Sequence, residues 1–333
     1  MKQRNLNGKS SLISKLALAA VVMANVTAFT ACKKNNEAPE NQTPLKASEF
    51  LSNYKVPDQV FTGDAAAGFT ITGTKGTKIK FKPNAFTDGS GNVVTGNVTI
   101  TLKEILSKKD VLLSGVMTES NGQLLESGGE LFVQAKQGDK VLNINRQGDR
   151  DSIAQVEVPK VMNNKDMGLF IQEKREGGAS GNNGQQQLNP LTWVAAPYYP
   201  FGNGPNSYSF SLPAFTWVNC DRFYSDPNPK TTITASPVFQ DNNAVTGLQV
   251  MLVFKDIATV VTLPYNTGLQ KFESYQNSLP IGLKADLVII GEDSDGYIQF
   301  GTQQITITAN MDIQAAIHKA TQAEVDAFLA GIQ

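Results

Sequence analysis

The stretch "GNVTITLKE" (residues 96–104) places Val98, Ile100 and Leu102 on one side of an extended chain and Thr99, Thr101 and Lys103 on the other. Side chains of a β-strand alternate between faces with a period of two, so this pattern buries one face and wets the other. Comparable runs, rich in Val, Ile, Thr and Phe, occur at "ELFVQAK" (130–136), "AQVEVPK" (154–160), "GLQVMLVF" (247–254), "ATVVTL" (258–263), "DLVIIGE" (286–292) and "QQITITA" (303–309). Gly, Pro, Asn and Asp separate them, and "DGSGN" (88–92) and "DSDGY" (293–297) carry turn chemistry between strand pairs. No long helical period and no repeat of fixed length runs through the body. The pattern predicts an all-β chain of two consecutive β-sandwiches with a short C-terminal helix.

That helix is predicted over 321–331. Thr321 as N-cap and Glu324 three residues on form a capping box, Val325, Phe328 and Leu329 make an apolar stripe, and Gly331 ends it. Composition marks the domains. "EKREGGASGNNGQQQLNP" (173–190) reads as a long loop joining the strands "MGLFI" and "LTWVA". "YSDPNPKTT" (224–232) is a proline-bearing break before a new set of strands. The first β-sandwich therefore spans 60–225 and the second 231–333, the latter with about seven strands, the number of an immunoglobulin-like sandwich.

The N-terminal end has a different character. Lys2, Arg4, Lys9 and Lys15 precede the short apolar run "LALAAVVMANVTAF" and small residues, the pattern of a signal peptide over 1–31. "FTAC" (Phe29, Thr30, Ala31, Cys32) resembles the bacterial lipobox, with Phe29 where Leu is usual. The resemblance implies lipidation of Cys32, where several acyl chains at about 0.8 kcal/mol per buried methylene hold a protein in a leaflet. Residues 32–59 are polar and proline-bearing, which predicts a disordered tether. Lys33 stands where inner-membrane retention would favour aspartate, which points to an outer-membrane address on either face. The leader holds four of 29 basic residues and none of 30 acidic ones, so a mature chain would carry 25 against 30, a net charge of −5. Such a chain lacks the basic footprint of a nucleic-acid binder. With Cys32 lipidated, Cys220 has no partner for an intramolecular disulfide.

Over 68–135 the elements "GTKIKFKPNAF", "GNVVTGNVTITLKE", "LLSGVMT" and "LLESGGELFVQA" resemble a module of uncharacterised Bacteroidota cell-envelope lipoproteins, with "MGLF" and "WVNCDRF" as later landmarks. The same residues distantly resemble the ZU-type β-sandwich of ankyrins and netrin receptors. That likeness implies protein binding. Some ZU-type relatives cut themselves at a His-Phe-Ser triplet. Here the single histidine, His318, is followed by Lys319 and Ala320, so self-cleavage does not carry over.

Candidate chemistry is sparse. A nucleophilic Cys220 would need a base, and His318 lies in the other predicted domain. "FTWVNCDRFY" (215–224) reads instead as a closing strand of the first domain, with Cys220 buried and Asp221 and Arg222 as an ion pair or turn clamp. Glu292, Asp293 and Asp295 in "GEDSDG" offer a calcium candidate, although the loop runs into a strand where a calcium loop would continue. The aromatic loop "PYYPFGNGPNSYSF" (197–210) offers Tyr198, Tyr199, Phe201 and Tyr208 as a binding surface for sugars or proteins. These readings predict a lipid-anchored envelope protein that binds a protein or glycan partner, without cofactor or catalysis. The alternative is an envelope glycan hydrolase using the acids of "GEDSDG".

Overall fold

Val98, Ile100 and Leu102 are fully buried from the strand Asn97–Ile105, as their alternation requires. The computed structural model describes residues 43–147, 153–162, 165–174, 185–186, 191–241 and 243–332. The leader 1–31, Cys32 and most of the loop 173–190 lie outside them. Among the described residues the strands build three principal sheets, of eight, five and nine strands, and two small two-stranded ones.

The first two sheets form a sandwich. The larger runs in the order Gln59–Asp64, Asn97–Ile105, Gln123–Gln137, Trp217–Phe223, Gly168–Lys174, Leu191–Ala195. The smaller carries Phe69–Thr72, Lys78–Phe81, Ala154–Pro159, Phe201–Asn203 and Ser207–Ser211. Ile100, Leu102, Leu131, Val133 and Val218 of one pack against Ile79, Phe81, Val156, Val158 and Phe210 of the other in a single cluster. The strands flanking loop 173–190 pair antiparallel, Phe170 opposite Ala195.

After the break at 224–232 the chain enters the nine-stranded sheet, which curls over its own core of Ile233, Val250, Leu252, Phe254, Leu287, Ile289, Ile305 and Ile317. Long antiparallel strands, Val245–Phe254, Lys284–Asp293 and Ile298–Thr306, lie side by side. Thr234–Phe239 pairs parallel to Asp312–Lys319, and Gln185–Gln186 from the long loop adds an edge strand. Gly301 allows the close approach of Asp312–Lys319: a Cβ there would lie 2.1 Å from the Ala316 carbonyl oxygen.

Among the described residues three helices pack on this frame. α1 (Ala47–Tyr54) corrects the expected tether, because residues 47–54 are helical and Gln59 already begins a strand. Its Ala47, Phe50, Leu51 and Tyr54 follow the i, i+3, i+4, i+7 spacing of a helix with one apolar face. Leu45 just before it is buried, its N–H donating to the Ala320 carbonyl at 2.7 Å. α2 (Lys108–Ser114) was not expected; Ser107 caps its start by accepting from the Asp110 N–H, and Gly115 ends it in the left-handed region. α3 (Gln322–Ala330) has the capping box read from sequence, Thr321 accepting from the Glu324 N–H and Glu324 accepting from the Thr321 N–H.

The two β bodies do not meet at a loose hinge. Residues 38–333 form one compact unit. A third apolar cluster joins Ile105, Val111 and Met117 of the first body, Met251, Val253, Val260 and Val288 of the second, and Val325 and Leu329 of α3. Hydrogen bonds reinforce it: Ser127 N–H to the Ala258 carbonyl at 2.9 Å, Thr259 hydroxyl to the Leu125 carbonyl at 2.7 Å, and Val260 N–H to Thr118 Oγ1 at 2.8 Å.

Candidate functional site

The junction carries two features, a buried acid pair and an open apolar groove. The acids sit where Trp217–Phe223 crosses Gln123–Gln137. The register slips between Asn219 and Asp221, opposite Gly128 and Gly129, and Gly129 has φ of 136°. This bulge re-aims side chains. Asn219 donates from its amide to Asp221 Oδ2 at 2.6 Å and towards Glu130 Oε1 at 3.4 Å, while Ser127 Oγ donates to Asn219 Oδ1 at 3.1 Å. Glu130 and Asp221 are fully buried, and Glu130 Oε2 and Asp221 Oδ1 have no hydrogen-bond partner. Burial pushes both carboxyls well above the usual range, with the neighbouring Asp221 adding to the rise at Glu130. The pair is sealed from solvent, so it presents no carboxylate to a substrate.

The groove lies on the surface, lined by neither acid. Its floor is the outer face of the curled sheet, with Met251, Val288, Ile290 and Phe300. Phe50 and Leu51 of α1 form one wall, Val325, Phe328 and Leu329 of α3 another, and Leu112–Gly115 at the end of α2 the third. The cavity measures about 440 Å³, within the range of ligand pockets. A second cavity, also about 440 Å³, continues past Phe50, Leu51, Leu113 and Ser114, which line both, and reaches Tyr54, Lys55, Lys103 and Trp217. Leu51 is 67% exposed at the junction of the two arms, a large apolar side chain left in water beside a concave apolar surface.

The structure scatters the residues picked from the sequence. Of the four candidate rings in the aromatic loop only Tyr198 is exposed, at 94%. Tyr208 is fully buried, its hydroxyl donating to the Lys165 carbonyl at 2.8 Å. Phe201 stacks on Phe210 with centroids 5.8 Å apart, and Tyr199 packs on the sandwich core. The four rings therefore make no common surface. In the hairpin 292–296, Glu292 and Asp295 are exposed and splayed, while Asp293 turns inward. Burial opposes its charge, but the Tyr297 N–H, the Gln299 amide, the Asp295 N–H and the Lys319 ammonium together hold its pKa down at about 2. Asp293 is thus committed to the turn, and the three acids do not converge on a calcium. Among the described residues no group of three His, Cys, Asp or Glu side chains could hold a metal ion.

Cys220 is buried, and burial with the adjacent Asp221 pushes its thiol upward, away from nucleophilic thiolate. His318 is engaged on the second body, 2.9 Å from Glu324. Asp221 and Arg222 do not pair. Arg222 Nε and Lys165 Nζ both bind Glu126, at 3.0 and 2.6 Å. Lipidation at Cys32 lies outside the described residues. Neither the acid pair nor the groove was expected from the sequence. For α1 the helical spacing of its apolar residues was an available signal.

No protein-family model matches the chain, and no curated protein matches it significantly.

Proposed function

We propose that this chain is a lipid-anchored cell-envelope protein of the outer membrane whose body binds an apolar ligand in the groove between α1, α2, α3 and the curled sheet. The observation that carries this reading is the groove itself: a concave apolar volume of about 440 Å³ with Leu51 exposed at its mouth. Burying such a surface is the driving force available to a partner. The lining favours an apolar occupant over a glycan, which needs converging polar groups. The anchor rests on the leader and "FTAC", and it would hold the groove close to a source of apolar molecules.

Two measurements test this. The neutral dye Nile red should bind with blue-shifted emission, and Leu51→Glu should weaken binding several-fold; no uptake, or uptake indifferent to the substitution, would refute the groove. Cys32→Ala should move the protein from the membrane fraction to the soluble one; an unchanged membrane fraction would refute the anchor.

A further inference from the structure

The two arms of the groove differ in charge. The arm on the curled sheet is lined by Met251, Val288, Ile290 and Phe300, with Glu292 as its carboxylate. The other arm ends at Lys55 and Lys103 beside Trp217. Lys103 is engaged by Asp58 at 3.0 Å, whereas Lys55 is exposed and has no ion-pair partner among the described residues. The arms are continuous past Phe50, Leu51, Leu113 and Ser114. An elongated apolar volume thus carries one unpaired lysine, Lys55, at one end, beside the Lys103–Asp58 pair, and the carboxylate of Glu292 in the other arm. A neutral hydrocarbon would use neither. A chain with one anionic head would be drawn to Lys55 and turned away from Glu292, which fixes its direction.

From this charge pattern, and resting on the groove reading above, we infer that the occupant is a free long-chain fatty acid. Its carboxylate lies at Lys55, and its tail runs past Leu113 onto the sheet face. No bond is made or broken.

The chain holds two tryptophans, and their positions provide the assay. Trp217 lines the cationic arm, whereas Trp193 is buried with its indole N–H on the Met117 carbonyl. The full chain carrying Cys32→Ala, handled without detergent, is titrated with 6,7-dibromostearate, whose bromines stay near the head group, and separately with its methyl ester, and Trp217 quenching is followed. The acid should bind about three- to fivefold tighter than the ester, the value of one solvent-accessible ion pair. Lys55→Glu should abolish that advantage and leave ester binding intact. Among unbrominated acids displacing Nile red, each added methylene should tighten binding about fourfold until the groove is filled. Trp193→Phe, at a tryptophan that lines neither arm, should leave the quenching in place, which assigns the signal to Trp217.

Equal affinities for acid and ester, or indifference to Lys55→Glu, would overturn the headgroup assignment while leaving the groove standing. If neither compound binds nor displaces Nile red, the groove reading itself fails. A concentration-dependent dimer that Leu51→Glu dissociates, with no binding of dibromostearate, would assign the surface to a second copy and overturn the inference.

Discussion

Replacing Glu130 by glutamine should change how stability depends on pH, and the structure fixes the sign. Glu130 is fully buried, faces Asp221, feels Asp110 and has only the long contact from Asn219. Its folded pKa is raised, so the folded chain keeps a proton that the unfolded chain releases above about pH 4.3. The stability linked to this proton is full below that value and is lost as pH rises towards the folded pKa. The slope is up to about 1.4 kcal/mol per pH unit. Glutamine does not titrate. Its amide keeps an acceptor for Asn219 but places N–H groups where Oε2 has no partner, at a cost of about 1–3 kcal/mol. The variant should therefore be less stable than the parent near pH 5, and the two curves should converge and cross as pH climbs to 8. Urea unfolding at several pH values, followed by tryptophan fluorescence, reads both curves. Parallel curves separated by a constant offset would refute the argument, because they would mean that Glu130 holds the same charge in both states.

Other consequences are more local. Cys220→Ser puts a hydroxyl into the sandwich core and should cost about 1–3 kcal/mol in urea unfolding, without affecting dye binding. Gly301→Ala drives a methyl into the Ala316 carbonyl and should cost at least about 1–3 kcal/mol by the same measurement, since the obstacle is backbone. Thr321→Ala removes the cap of α3 and should cost about 1 kcal/mol, with faster hydrogen exchange at the first turn of that helix.

Local periodicity carried most of the strand reading, because alternation within one strand reports the face it buries. The α3 capping box was legible for the same reason: its partners are three residues apart. α1 was missed because composition averaged over 32–59 hides a helical spacing confined to eight residues. Two other signals were present in the sequence. Tyr208 and Phe210 alternate with serines in "SYSFS", which marks an inward-facing strand rather than an exposed loop. Asp221 and Arg222, adjacent in a strand, point to opposite faces and so cannot form the expected clamp. The acid pair was not legible. Glu130 meets Asn219 and Asp221 only across the strand pairing with Trp217–Phe223, about ninety positions later, so nothing local marks the pair. The groove likewise exists only where α1, α2 and α3 come together.

The α1–α3 contact has a kinetic meaning. Tyr54 donates to Asp326 at 2.7 Å, Asn53 donates to Gln322 at 3.3 Å, and the segment before α1 is held by Tyr297 and Thr321. α1 can dock only after α3 has been synthesised and delivered. Closing so long a loop adds little to equilibrium cost but slows folding. A chain emerging from a ribosome or a translocation pore would assemble its sheets first and its groove last. Products truncated before residue 322 would then carry folded sheets without a complete groove, so Nile red uptake would report that α3 is present.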